Sequence, residues 1–255
     1  MFETIAVPAF KDNYIWLLRK GSLAVAVDPG DAAPVFAALD RDGLTLGAII
    51  VTHHHADHQG GVAALLERHE VPVFGPASES ITGMTEPLRG GETIMVEAIG
   101  TGFEVLAVPG HTLGHLAFYG QGKLLCGDTL FAGGCGRVFE GTPREMHDSL
   151  SRLASFPEET AAYCAHEYTA ANLRFALAVE PGNRALQQRA REVAEARARG
   201  EATVPTTIAL ERSTNPFLRC DVAEVIASAR REGAAADDAV SVFAALREWK
   251  NRFQG

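Results

Sequence analysis

Hydrophobic residues in the first two thirds of the chain fall in short runs broken by Gly, Asp and Pro, whereas the last third shows helical spacing. Thr4–Val7, Asn13–Leu18 and Ser22–Val27 read as strands with tight connections. Asp31 opens a helix through Leu39, with Pro34 tolerated in its first turn. Ala48–Val51 is the next strand, Gly60–His69 a helix, Val71–Gly75 a strand and Pro76–Gly91 a loop. Thr93–Ile99, Phe103–Val108, Leu116–Tyr119, Lys123–Cys126 and Ala161–Ala165 complete the strand set. From about Asn172 the character changes. Arg184–Arg199 is a charged helix, Thr203–Pro205 an extended link, and Asp221–Arg230 has apolar positions at 222, 225, 226 and 229 on one face. After a loop at Arg231–Asp238, the segment Asp237–Phe253 aligns Val242, Leu246, Trp249 and Phe253 in one stripe. The expected organisation is an α/β domain over residues 1–171 and a helical domain over residues 172–255.

Several of the apolar runs end in residues that packing does not need. Ala48–Val51 leads into His53, His54, His55, Asp57 and His58, Phe103–Val108 into His111, Lys123–Cys126 into Asp128, and Ala161–Ala165 into His166. Adjacent imidazoles and a carboxylate at a buried strand end are costly to desolvate without a partner, and a metal ion is the economical one. Ligands gathered at strand ends are how an α/β sheet builds a site on one rim. Alternation puts His53 and His55 on one side of an extended backbone, and a bend at Ala56 turns Asp57 and His58 toward a second ion. His53, His55 and His111 then supply three nitrogens to one ion, Asp57, His58 and His166 a mixed set to the other, and Asp128 bridges with its two oxygens. This set leaves open positions on two divalent ions, which marks catalysis rather than structural closure. Zinc is the expected metal, with iron and manganese also suited to these donors. Two such cations lower the pKa of a shared water, so hydroxide is present near pH 7 to attack a carbonyl or phosphoryl centre, with Asp57 and Asp128 as the catalytic carboxylates. His54 is expected to point away from its neighbours and His115 to anchor its loop. Asp28 either orients a ligand histidine or forms a turn. No Gly-x-Ser-x-Gly elbow competes with this reading.

Composition narrows the partners. With 255 residues, 47% hydrophobic and 22% charged, the chain has the profile of an ordinary globular protein. A net charge of -9 argues against a nucleic-acid footprint. Neither a secretory leader nor a run of about 18 apolar residues occurs, so a cytoplasmic protein without a membrane partner is expected. The four cysteines, 126, 135, 164 and 220, lack CxxC spacing and read as small buried hydrophobes.

The run His53-His54-His55-Ala56-Asp57-His58 with His111, Asp128 and His166 resembles the metallo-β-lactamase superfamily, which implies an αββα sandwich followed here by a C-terminal helical domain. Gly127–Thr142, Cys164–Thr169, Glu180–Asn183 and Asn215–Arg219 are similar to the glyoxalase II (hydroxyacylglutathione hydrolase) family. That resemblance spans nearly the whole chain. It implies hydrolysis of S-2-hydroxyacylglutathione thioesters, typically S-D-lactoylglutathione, by a metal-bridging hydroxide, in methylglyoxal detoxification; a monomer is expected. It further implies that Arg137, Tyr168, Arg247 and Lys250 hold the glutathione moiety, as suits a ligand with two carboxylates. The family often has lysine at the position of Arg137 and tyrosine at that of Phe139, so Phe139 would sit in the substrate site without a hydroxyl. A persulfide dioxygenase, a nuclease or a di-iron electron-transfer module fits less well. The last would carry glutamate where His55 stands, and a nuclease would need a basic groove.

Overall fold

Strands β1 (Glu3–Ala9), β2 (Asn13–Lys20) and β3 (Leu23–Val27) run antiparallel and open the first sheet of the computed structural model, which describes residues 1–254. Helix α1 (Ala32–Asp42), capped by Asp31 and closed by Gly43 at φ 62, carries the chain over to β4 (Thr45–Ile50), parallel to β3. Two short helices, α2 (Ala56–Gln59) and α3 (Val62–Leu66), precede the further parallel strands β5 (Val73–Pro76) and β6 (Glu86–Leu88). The sheet order is β1 to β6.

Leu17, Ala24, Ala26, Ile49 and Val51 pack in one core with Val35 and Leu39 of α1 and Val62 and Leu65 of α3. Their sequence neighbours Trp16, Leu18, Val25, Ala48 and Ile50 are buried as well. Burial on both faces explains why these strands read as continuous apolar runs rather than alternations. The second set, β7 (Thr93–Val96), β8 (Thr101–Ala107), β9 (Leu116–Gly120) and β10 (Lys123–Gly127), is an antiparallel meander. Phe2 against Phe103 at 5.9 Å, and Lys20 Nζ donating to the Ile99 carbonyl at 2.8 Å, link the meander to the first sheet.

These elements form one compact unit, residues 1–107 with 114–127, and residues 108–113 with 128 onward form a second. In the second unit β11 (Leu130–Phe131) and β12 (Gly134–Cys135) make a small hairpin. Helix α4 (Pro143–Ala154) starts at a capping box of Thr142 and Glu145. Strand β13 (Ala161–Cys164) leads to α5 (Thr169–Val179) and α6 (Arg184–Ala198), and β14 (Thr206–Thr207) pairs back on β13 before α7 (Ile208–Thr214). Helices α8 (Ala223–Arg231) and α9 (Ala239–Arg252) close the chain. Phe175, Phe217 and Phe243 are fully buried, and Trp249 packs on Phe175 at 5.1 Å. A buried polar knot ties these helices to the hairpin. Glu211 accepts from Arg189 at 2.6 Å, Thr206 at 2.7 Å, the Gly133 amide at 2.8 Å and Asn215 at 2.9 Å.

Three local expectations change. The loop expected over Pro76–Gly91 contains β6, a three-residue strand that owes its conformation to parallel pairing with β5 rather than to its own propensity. The strand expected over Thr93–Ile99 turns at Val96 into a 3₁₀ turn over Glu97–Ile99, ended by Gly100 at φ 53. The bend expected at Ala56 is the start of α2, so Asp57 and His58 are carried by a helix ahead of the shortened α3.

Candidate metal centre

In the first unit the end of β4 delivers Thr52 and His53, both fully buried. His53 Nδ1 lies 3.0 Å from the Thr52 hydroxyl, and its Nε2 lies 3.0 Å from His55 Nδ1. On α2, His58 places Nδ1 3.1 Å from Asp28 Oδ2 and Nε2 3.6 Å from Asp57 Oδ2. Asp28 follows β3 with φ 52 and also accepts from the Thr52 amide at 2.7 Å and the Thr52 hydroxyl at 2.9 Å. An ionised carboxylate only accepts. The Thr52 proton is therefore committed to Asp28, and the Thr52 oxygen must receive Nδ1–H of His53. Asp28, an acceptor, likewise favours the proton of His58 on the Nδ1 that faces it. Both rings then turn a bare Nε2 away from these anchors, toward His55 in one case and Asp57 in the other, the orientation that a metal ligand needs. Asn13, which the sequence reading passed over, donates to Asp57 Oδ2 at 3.0 Å. His54 is tied through its amide to Glu79 at 2.6 Å, and Glu79 also accepts the Gly114 amide at 3.0 Å. His115 stacks on His53 at 4.6 Å.

The second unit holds the other three expected ligands. His111 Nδ1 lies 2.8 Å from the carbonyl of Arg137, an acceptor, so Nδ1 carries the proton and Nε2 is bare, 3.5 Å from Asp128 Oδ2. His166 Nε2 lies 3.4 Å from Asp128 Oδ1. Each Asp128 oxygen thus faces a different imidazole. These separations exceed the roughly 2.7–2.9 Å of a charge-assisted hydrogen bond. Two donors on one tetrahedral zinc ion, with bonds of about 2.0–2.1 Å, stand about 3.3 Å apart, so the spacing suits ligands that share an ion. The donor chemistry of both units fits a borderline divalent metal.

Phe131, Cys135, Arg137, Tyr168, Arg247 and Lys250 line a cavity of about 230 Å³ in the second unit. Tyr168 stacks on His166 at 4.6 Å, and Phe131 meets both rings edge-on. Phe139 is exposed and is not among the lining residues; it packs on His111 at 5.3 Å, with the Arg137 guanidinium 5.5 Å from its ring. Lys250 Nζ donates to the Ala171 carbonyl at 3.2 Å, and burial, then repulsion from Arg247 and Arg174, pulls its pKa down to about 8. Burial pushes the Cys135 thiol up against the pull of Arg247.

The metallo-β-lactamase superfamily profile matches residues 10–166, and the hydroxyacylglutathione hydrolase C-terminus profile matches residues 167–253. The hydroxyacylglutathione hydrolase of Dechloromonas aromatica is 55% identical over 99% of this chain and 100% of its own length. The chain belongs to the hydroxyacylglutathione hydrolase family. That of Alkalilimnicola ehrlichii is 56% identical, again over 99% of this chain and 100% of the relative. Among solved structures, ETHE1 from Myxococcus xanthus shares the fold at TM-score 0.67 and 24% identity, covering 97% of this chain and 90% of its own. TTHA1623 in a di-iron-bound form aligns at TM-score 0.59 and 28% identity over 85% of this chain and 100% of its own. The fold is thus the metallo-β-lactamase α/β fold with a helical C-terminal region, as the sequence led us to expect. Among the described residues no helix is long and apolar enough to cross a membrane.

Proposed function

We propose that this chain hydrolyses S-2-hydroxyacylglutathione thioesters, with S-D-lactoylglutathione the typical substrate, to glutathione and the 2-hydroxy acid. The end-to-end match to relatives named hydroxyacylglutathione hydrolase carries this reading. Residues 1–171 contribute the metal chemistry together with Arg137 and Tyr168, and residues 172–255 add Arg247 and Lys250 to the substrate site. His53, His55 and His111 would hold one divalent ion and Asp57, His58 and His166 the other, with Asp128 available to both. Two such ions, zinc in this reading, supply a water acidic enough to be hydroxide near neutral pH. Asp28, Thr52 and the Arg137 carbonyl hold three of the rings in the tautomer that leaves Nε2 bare.

The cavity beside His166 gathers two guanidiniums and an ammonium, a fit for the two carboxylates of glutathione. Arg137 supplies a planar fork where the family often has lysine, and Tyr168 a hydroxyl for a peptide group. Hydrolysis consumes one water: its oxygen forms the new C–O bond, the C–S bond breaks, and the thiolate leaves toward solvent or takes the released proton. A cytoplasmic setting suits the four buried free thiols. The test is thioester cleavage by metal-loaded protein beside a His53→Ala control. Rapid loss of S-D-lactoylglutathione with the native chain alone is expected; equal rates for the two would sink the reading.

A further inference from the structure

Four consecutive backbone carbonyls at and after β12 are each held by a side chain. Asn215 Nδ2 donates to Gly134 O at 2.8 Å, Arg247 Nη1 to Cys135 O at 2.9 Å and to Gly136 O at 3.5 Å, and His111 Nδ1 to Arg137 O at 2.8 Å. Arg247 is only 8% exposed, and its guanidinium packs 5.2 Å from the Phe217 ring, so its place on the segment is fixed by surrounding structure. The segment has no slack toward the metal donors. The Gly136 amide donates to the Thr129 carbonyl at 3.2 Å, and a Cβ at Gly136 would stand 1.9 Å from the Asp128 carbonyl oxygen and 3.2 Å from His111 Nδ1.

We propose that Arg247 is a positioning residue for His111. Its guanidinium sets the backbone at residues 135 and 136, and the next carbonyl, of Arg137, fixes the angle and tautomer of the His111 ring. This rests on the reading of His111 as a ligand and goes beyond the role in glutathione binding that the family resemblance implies for Arg247. Because the same guanidinium lines the cavity, substrate binding and ligand geometry share one cation. Lys250, one turn along α9, lines that cavity too but bonds to Ala171, away from residues 134–137, so it serves as the contrast.

The experiment uses the full chain loaded with cobalt(II). It records the visible ligand-field spectrum, the rate of metal loss to a chelator, and kcat and KM for S-D-lactoylglutathione. Arg247→Ala is expected to change the spectrum, shed cobalt about 10-fold faster and lower kcat, since partners of ligand histidines alter metal affinity or activity by about 10- to 100-fold. Arg247→Lys keeps the charge but loses the planar fork, and should fall between native and alanine in spectrum and metal loss. It decides the matter if Arg247→Ala does not fold. Lys250→Ala should raise KM with a native spectrum. A native spectrum and native metal loss in the folded Arg247 variants, with KM alone raised, would overturn the proposal. An unchanged spectrum in His111→Ala would instead overturn the ligand assignment, and the positioning role with it.

Discussion

Replacing Asp28 by asparagine probes how firmly the first unit's histidines depend on one carboxylate. The backbone tolerates the change, because asparagine also accepts the left-handed conformation at φ 52. The side chain does not, since Asp28 faces three donors as an acceptor: Oδ1 takes the Thr52 amide at 2.7 Å, and Oδ2 takes the Thr52 hydroxyl at 2.9 Å and faces His58 Nδ1 at 3.1 Å, with His53 one link further through Thr52. If the new NH₂ stands in the Oδ2 position, it meets Nδ1–H of His58 and the hydroxyl proton of Thr52, donor against donor. Relief requires both rings to move their protons to Nε2, the nitrogen a metal would need. That loss is worth about 10- to 100-fold in metal affinity, or roughly 1.4–2.8 kcal/mol. If the amide is flipped instead, NH₂ confronts the buried Thr52 amide and leaves it unsatisfied, at a cost of about 1–3 kcal/mol in the folded state. A competition titration against a chromophoric chelator reads the first outcome, and denaturant unfolding of the metal-free protein reads the second. Native metal affinity together with native metal-free stability would refute the tautomer reasoning.

Three further outcomes follow from the second unit. Lys250 loses its proton near pH 8, so kcat/KM for the carboxylate-bearing thioester should decline as pH rises through about 8, and Lys250→Ala should lack that limb. The unfolded chain holds this proton more tightly than the folded one, so the charged ammonium opposes folding below about pH 8 and that opposition is relieved as pH climbs toward the ordinary lysine value; unfolding of Lys250→Ala should lose this alkaline gain. Glu211→Ala removes the acceptor of four buried donors and leaves Arg189 charged without its partner, which should cost about 3–5 kcal/mol by denaturant midpoint. A loss below about 1 kcal/mol would mean that water or relaxation replaces the knot.

Much of the candidate centre was legible because metal ligands leave a chemical mark that packing cannot imitate: histidines and aspartates directly after apolar runs. Helix α6 was legible as a charged helical run, and α8 and α9 from their one-sided spacing. Helix α5 was not, since Leu173, Phe175, Ala176 and Val179 are buried together with Thr169 and Asn172, and burial on several sides erases the period. Strand β6 escaped because three residues carry too little local preference to outweigh the Gly and Pro around them.

Arg247 marks the boundary most clearly. Sequence alone placed it three residues before Lys250 on a helix flank, and by itself that flank reads as solvated. Only the packing of α9 buries the guanidinium and brings it to carbonyls 112 and 111 residues earlier in the chain. The same holds for the rings themselves. The order of residues from His53 to His58 determines that donors of the right type are present at a strand end. Which nitrogen is bare on His53, His58 and His111 is decided by Thr52, Asp28 and the Arg137 carbonyl, because a proton settles on whichever nitrogen meets an acceptor, and those acceptors are set by how the chain folds around the rings.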